Sequence, residues 1–483
     1  MLKILFATSE IHPLIKTGGL ADVAASLPRA LAKLGHDIRI ILPAYPSVLR
    51  QAIEVGMKEL TRCFLDDQEV ILWQTRLPGT RMKVLLIDFP AFSDREGNPY
   101  CGADGHDWPD NARRFYDFSR ITRLIALNKL SQDWQPDILH CNDWQTGLVP
   151  ALLAEDEPRP ATVFTIHNLA YRGLFSRQTF DELRLPLHWW NSESLEFYDQ
   201  LAFMKGGLVY ADRITTVSPG YAREIQTATQ GWGLEGLLYH RRDVLRGILN
   251  GIDCDEWNPG SDKYIAHNYN RRTLQNKQKN KLALQAQSGL TISEKIPLLG
   301  FIGRMVDQKG IDLILALLPK FLAEERGQCI ILGSGMPNYE TAFTALANQY
   351  PQSLSVCIGY NEALAHQIEA GADIFLMPSA FEPCGLNQLY SLRYGTVPIV
   401  HGVGGLADSV KNYSDQQSSD ANGFVFFDYT QQAFELTLEH ATQVYENKPE
   451  WQRLQLNGMN ENLSWTKSAQ EYVDLYQSIP KDL

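Results

Sequence analysis

Short apolar runs rich in β-branched residues alternate along the chain with segments whose apolar positions recur at the helical period. Residues 3–8, 38–42, 137–141 and 162–166 read as strands. Residues 20–34, with Leu20, Val23, Ala24, Leu27 and Leu31 on one face, read as a helix between the first two strands. Apolar strands separated by helices predict a parallel sheet covered on both faces. The alternation breaks at residues 245–262, where LRGILNGIDCDEWNPGSD crowds turn formers around a short apolar stretch. A second series follows, with strands at 297–303, 329–332, 354–358, 374–377 and 397–400 and a helix from Gly310. The expected fold is therefore α/β, two doubly wound, Rossmann-like domains spanning residues 1–245 and 246–460. Residues 461–483 are expected to close the chain with a helix, apolar at Trp465, Ala469, Tyr472, Val473 and Tyr476, that packs back on the N-terminal domain. Ligands of open parallel sheets bind beyond the carboxyl ends of the strands, so the two domains are expected to face each other across a cleft that holds the site.

Composition narrows the partners. A chain of 483 residues, 44% hydrophobic, can bury cores for two or three domains. Its net charge of -12 repels a polyanion, which argues against nucleic acid and leaves a neutral polymer as an easy partner. The seven cysteines are odd in number and contain no C-x-x-C pair, so neither a disulfide framework nor a zinc site is indicated and a reducing compartment is expected. No run approaches the ~18 apolar residues needed to span a bilayer, and Met1 leads directly into a strand without a charged leader. No membrane partner and a cytoplasmic location are expected. Ten tryptophans and twenty tyrosines serve packing or offer platforms for sugar stacking.

Candidate chemistry gathers at strand ends. Lys16-Thr17-Gly18-Gly19-Leu20-Ala21-Asp22 joins a strand to a helix, where closely approachable backbone N–H groups and a nearby ammonium suit a diphosphate; a tight turn explains the same glycines. No Walker G-x-x-x-x-G-K-[ST] pattern occurs. The strand 297–303 runs into Arg304 and Lys309, two cations placed to stabilise charge on a departing phosphate, or to form surface ion pairs. Phe381-Glu382-Pro383-Cys384-Gly385-Leu386 follows another strand and opens a helix. Glu382 there suits sugar hydroxyls or acid/base work, or simply complements the helix dipole. Cys384 reads as a small buried hydrophobe rather than an activated thiol. Gly404-Gly405-Leu406-Ala407-Asp408 repeats the string at 18–22, which predicts similar turn chemistry in each domain. His167 ends the strand at 162–166.

Two patterns read as decoys. Asp253-Cys254-Asp255 matches a metal-holding D-x-D but sits in the interdomain turn. Gly333-Ser334-Gly335 lacks the third glycine of a dinucleotide fingerprint, because Asn338 stands there.

Taken together, KTGGLADV at 16, HCNDWQTGL at 140, TIHNLAYRG at 165, VSPGYAREI at 217, LNGID at 249, GRMVDQKG at 303, IGYNEALAH at 358 and SAFEPCGLNQLYSLRYG at 379 resemble the bacterial glycogen synthases and plant starch synthases. These are retaining glycosyltransferases of the GT-B fold, and the likeness spans essentially the whole chain. It implies glucose transfer with retention from a nucleotide-glucose, ADP-glucose favoured over UDP-glucose, to the non-reducing end of an α-1,4-glucan, without a metal or other cofactor. By resemblance, Glu382, His167, Arg304 and Lys309 are catalytic. Lys16, Gly19, Asp22, Asn250, Tyr360, Cys384, Gly385 and Leu386 bind the donor, with Tyr360 stacked on the base. Glu10, Tyr100 and Asp143 line the acceptor side. The N-terminal domain is then the acceptor side and the C-terminal domain the nucleotide-sugar side.

Some positions depart from the commoner pattern. Tyr390 stands where the wider GT-B group has a second glutamate, which resembles the glycogen and starch synthase branch itself. Asn387, Met336 and His401-Gly402-Val403 differ from well-known bacterial members in the donor half, so they bear on the choice of nucleotide. The alternatives are a related retaining GT-B glucosyltransferase using UDP-glucose or a smaller acceptor, and a silent glucan-binding scaffold.

Overall fold

A computed structural model describes residues 1–102, 105–130, 133–414 and 419–480. The chain forms two compact units, one of Met1–Val217, Ala222–Ile248 and Trp465–Leu483, the other of Ser218–Tyr221 and Leu249–Ser464.

The first unit is built on a nine-stranded sheet. Its spatial order is Leu245–Gly247, Arg213–Thr216, Ala161–Ile166, Ile138–Asn142, Lys3–Ala7, Asp37–Pro43, Lys83–Asp88, Gln68–Arg76, Lys58–Leu65. The first seven strands pair in parallel. The last two form an antiparallel meander with Lys83–Asp88 at one edge, which the expectation of a purely parallel sheet did not contain. Their burial alternates along the strand, as a half-covered edge requires, and Arg62 pairs with Glu59 and Glu69 on the exposed face. Leu245–Gly247 closes the opposite edge, so the first unit extends to Ile248 rather than ending at residue 245.

Chain order reverses beside Lys3–Ala7: the strands that follow it directly lie on one side and Ile138–Asn142 on the other. A crevice opens beyond the carboxyl ends of two strands that diverge in this way. Glu10 and Asp143 follow those two ends.

The helix Gly19–Lys33 buries Leu20, Val23, Ala24, Leu27 and Leu31, and the helix Trp465–Gln477 packs against it. Tyr476 from that last helix reaches the buried His140 Nδ1 at 2.7 Å, and Arg213 donates to the Ser478 carbonyl at 2.9 Å. A separate small antiparallel sheet holds Leu174–Phe175, Gln200–Ala202 and Glu196–Phe197.

The second unit has six parallel strands in the order Leu354–Ile358, Gln328–Gly333, Leu298–Ile302, Ile374–Met377, Val397–His401, Phe424–Phe426. Apolar side chains cover both faces. One face packs Ile311, Ile314, Leu318, Phe343, Phe434 and Leu454, and the other Leu284, Ile368, Leu389 and Tyr394. The order reverses between Leu298–Ile302 and Ile374–Met377, which lead into the segments carrying Arg304, Lys309 and Glu382. No helix among the described residues is long and apolar enough to cross a membrane.

Candidate active site

In the first unit, Glu10 is buried and its carboxylate ties one loop to Tyr100. It accepts from the Thr17 N–H at 2.5 Å, the Thr17 hydroxyl at 2.6 Å, the Gly18 N–H at 3.3 Å and the Tyr100 hydroxyl at 2.5 Å. Burial and the neighbouring Glu10 push the Tyr100 phenol well above its ordinary range, so it remains a donor. Lys16 lies 2.9 Å from Asp22 across this loop, at the N-terminus of the helix Gly19–Lys33. Gly18 is extended, a Cβ there would meet none of the described residues within 4 Å, and both Gly18 and Gly19 are exposed, so this stretch is accessible to a ligand.

Asp143 has a left-handed backbone, φ +56°, and its carboxylate accepts from the His167 N–H at 2.7 Å and from the Asn168 N–H. Burial pushes its pKa up to about 7 against these hydrogen bonds. The Asn142 amide nitrogen donates to the Ala7 carbonyl at 2.9 Å, which turns Asn142 Oδ1 toward His167 Nε2, 2.9 Å away. An amide oxygen only accepts, so the proton of His167 sits on Nε2 and Nδ1 keeps its lone pair. Burial lowers the His167 pKa to about 3, and the imidazole is neutral at working pH.

In the second unit, Gly310 fastens the turn Asp307–Lys309 against the next strand end. Its φ is +69°, and a Cβ would stand 2.0 Å from the Pro378 carbonyl oxygen. Ala380 donates to the Gln308 carbonyl at 2.9 Å, and Gln308 donates to that of Phe381 at 3.2 Å. The Lys309 ammonium therefore reaches Glu382 Oε2 at 2.5 Å, and the Ser379 hydroxyl donates to the same oxygen at 3.0 Å. Glu382 is 6% exposed. Arg304 is exposed at the end of Leu298–Ile302.

The Glu382 loop leans on the second glycine pair. Gly405 donates to the Glu382 carbonyl at 3.1 Å; a Cβ on Gly404 would fall 2.0 Å from that oxygen, and one on Gly405 2.2 Å from the Cys384 carbonyl oxygen. The repeated G-G-L-A-D string thus does two jobs, contrary to the similar chemistry expected of it. At 18–22 it leaves backbone open, and at 404–408 it lets two backbones touch. Asn387, at the start of the helix Asn387–Tyr394, donates to the Ile302 carbonyl at 2.6 Å. His401 has the Ser379 carbonyl 2.8 Å from Nδ1 and that of Phe427 3.2 Å from Nε2.

Asn250 is buried and donates to the Cys384 sulfur from both backbone and side chain, while its Oδ1 has no hydrogen-bond partner among the described residues. Burial pushes the Cys384 thiol up to about 12, as befits a packed group rather than a nucleophile. Gly385 has φ +73° and precedes Leu386 at the helix entry. The Tyr360 ring is 74% exposed, and its hydroxyl donates to Glu362.

Among the described residues no group of three or more His, Cys, Asp or Glu is placed to hold a metal. Asp253 instead accepts from the N–H groups of Asp255 and Glu256 at 3.0 and 3.3 Å, an ordinary turn. Gly333 and Gly335 pack against the Gly303 and Met305 carbonyls, where Cβ atoms would fall at 1.9 and 2.4 Å. Sequence reasoning missed Asn142 and Ser379. Both lie inside the quoted motifs beside named residues, and only the fold reveals their hydrogen bonds.

Two family models match: the starch synthase catalytic domain over residues 3–240 and the glycosyl transferases group 1 over residues 285–458. A glycogen synthase of Cellvibrio japonicus is 61% identical over 480 residues, 99% of this chain and 100% of that one. The chain belongs to the glycogen and starch synthase family. Another member, the glycogen synthase of Marinobacter nauticus, is 52% identical over 99% of this chain and 98% of its own. The catalytic domain of starch synthase IV from Arabidopsis thaliana, bound to ADP and acarbose, superposes with a TM-score of 0.88 at 33% identity, covering 99% of each chain. The fold is that of the GT-B glycogen and starch synthases. A sucrose-phosphate synthase of Thermosynechococcus elongatus, 16% identical with a TM-score of 0.59, shares the fold alone. The glycogen synthase family is a family of glycosyltransferases, and this chain is one of them.

Proposed function

We propose that the chain lengthens an α-1,4-glucan by transferring glucose with retention from ADP-glucose to the non-reducing end, in the cytoplasm and without a metal ion. The observation that carries this reading is the Lys309–Glu382 pair at the sheet's reversal point, with Arg304 on the adjoining strand end. Breaking the glycosyl–phosphate bond moves negative charge onto the leaving diphosphate. Lys309 and Arg304 stabilise that charge, a task other transferases give to a divalent cation.

Glu382, oriented by Ser379 and Lys309, accepts hydrogen bonds from the glucose hydroxyls. The neutral His167 acts beside the anomeric carbon, where front-face departure leaves an oxocarbenium-like sugar. The open backbone at Gly18–Gly19, with Lys16 and Asp22, and the helix entry at Cys384, Gly385 and Leu386 serve the donor phosphates and sugar. Asn250 supports that entry, and Tyr360 stacks on the base. Glu10 and Tyr100 act through the loop they hold, and Asp143 through His167 on the acceptor side. ADP bound to the starch synthase IV domain supports the adenine nucleotide over UDP-glucose, and acarbose bound to the same protein supports a glucan acceptor.

The test is incubation of the purified protein with ADP-glucose and with UDP-glucose, glycogen as acceptor, in EDTA. Glucose incorporation from ADP-glucose at an unchanged rate is expected. Faster transfer from UDP-glucose would overturn the donor assignment, and loss in chelator restored by Mg²⁺ would overturn the metal-free one.

A further inference from the structure

His401 is the first residue of the stretch His401-Gly402-Val403 that departs from the commoner pattern, and the second unit places it one residue away from Glu382. It ends the strand Val397–His401, between the strand that leads into Ser379 and the strand that leads into Phe427. Its ring is 6% exposed and packs on Phe426 and Tyr429, with centroids 5.2 and 5.3 Å away.

Each ring nitrogen faces a backbone carbonyl, Nδ1 that of Ser379 at 2.8 Å and Nε2 that of Phe427 at 3.2 Å. Carbonyl oxygens only accept. A neutral imidazole has one N–H and would turn its other lone pair on an oxygen in a place that water scarcely reaches. The protonated ring donates to both, and the aromatic faces beside it favour a cation. Carboxylates stand one side chain away: Glu382 beyond the Ser379 hydroxyl, and Asp312, which accepts from the Tyr429 hydroxyl at 3.0 Å. With both nitrogens engaged by backbone, His401 has no group left for a substrate, so its part is to position rather than to react.

What it positions follows from the peptide it holds. The Ser379 carbonyl and the Ala380 N–H belong to one planar unit. The N–H donates to the Gln308 carbonyl at 2.9 Å, in the turn that carries Lys309, and the carbonyl accepts from His401. One hydrogen bond lets a peptide plane swing about it; two bonds in opposite directions do not. With the plane fixed, the Ser379 hydroxyl is aimed at Glu382 Oε2, 3.0 Å away, the oxygen that Lys309 also reaches. Two donors on one oxygen keep the carboxylate from turning, and among the described residues none donates to Oε1.

We propose that His401 is a positioning residue for transfer, which sets the orientation of the Glu382 carboxylate through the Ser379 peptide. The task of Glu382 rests on the glucose-transfer reading above. Two amides separate the two bonds of the ring: counted from Cβ, the nitrogen of asparagine lies where Nδ1 does and that of glutamine where Nε2 does. His401→Gln therefore loses the Ser379 bond and should lower kcat and kcat/KM alike by about tenfold with ADP-glucose and glycogen. His401→Asn keeps that bond and should stay within about threefold of the wild type. Ser379→Ala deletes the hydroxyl on Glu382 but not the carbonyl, so adding His401→Gln to it should change kcat by less than about twofold. Should His401→Gln fail to fold, His401→Phe, a ring without donors, takes its place.

Losses that multiply in the double variant, or a glutamine variant as active as the asparagine one, would overturn the proposal. Amide hydrogen exchange at Ala380 reads the clamp without activity, and should quicken by about tenfold in His401→Gln and stay near the wild type in His401→Asn. A wild-type protein that transfers glucose from neither nucleotide would sink the transfer reading alone; equal exchange in the two variants would overturn the clamp itself.

Discussion

The Lys309 ammonium stands 2.5 Å from a carboxylate oxygen of Glu382, although 73 positions separate the two residues in the chain. Each holds the other at the reversal point of the second sheet, and each is assigned a task in transfer. Lys309→Met should lower kcat by about 10²–10³, because a preorganised cation stabilises the departing diphosphate more than the bound donor. Steady-state kinetics with ADP-glucose and glycogen read this, and turnover within about twofold of the wild type would remove Lys309 from the transition state.

Gly405 tests whether the Glu382 loop must sit where it does. A methyl group there meets the Cys384 carbonyl carbon at 2.7 Å and its oxygen at 2.2 Å, and this is backbone that cannot rotate away. Gly405→Ala should destabilise the second unit by about 1–3 kcal/mol and lower kcat by about a hundredfold, since displaced catalytic groups lose alignment. Gly18→Ala, whose added Cβ meets none of the described residues within 4 Å, should leave the melting temperature in place. Equal melting temperatures for the Gly405 variant and the wild type would refute the packing argument.

The buried Asp143 gives the first unit a pH dependence. Its folded pKa of about 7 lies above the ordinary value of 3.8, because burial disfavours the charge. The folded state then binds the proton more tightly, so stability falls as pH rises from about 4 to 7 and the loss is complete above that window. Asp143→Asn keeps an acceptor for the His167 N–H and removes the charge, and its melting temperature should decline less across the same range. A decline as steep as the wild type's would contradict the assignment.

His366 works in the second unit with a different window. Burial lowers its pKa, but hydrogen bonds with Asp262 at 2.7 Å and Glu362 at 3.3 Å outweigh that and raise it to about 9. The ring is 1% exposed and stacks on Trp257, centroids 3.9 Å apart, and Trp257 stacks in turn on Tyr390. A histidine raised above its unfolded value of 6.5 contributes stability that is full below that pH and lost as pH rises through 9, on the order of 3 kcal/mol. Thermal melts of the wild type should fall between pH 6.5 and 9, and those of His366→Gln should be lower and flatter. Parallel melting curves would show that the imidazolium is not what holds this network.

Much of the candidate site was legible because its residues sit at strand ends, and strand ends are visible in the hydrophobic pattern. Glu382, Lys309, Arg304 and His167 could each be read as the polar residue that follows an apolar run. Ser379 and Asn142 could not be read as partners, because a hydroxyl or amide acquires its role only from what the fold places within 3 Å. The antiparallel strands Lys58–Leu65 and Gln68–Arg76 also escaped, their half-exposed alternation carrying a weaker signal than the buried parallel strands.

The sequence by itself determined the family and the α/β class and marked the segments that are candidates for chemistry, since periodicity, turn formers and ordered motifs are local properties. Tertiary structure alone decided what the two G-G-L-A-D strings do. Identical residues leave space at Gly18, where an added Cβ would meet none of the described residues within 4 Å, and seal a contact at Gly404, where the Glu382 carbonyl occupies the space a Cβ would need. A string of residues specifies which conformations are available to it; the atoms packed against it from elsewhere in the chain decide which of them is used, and for what.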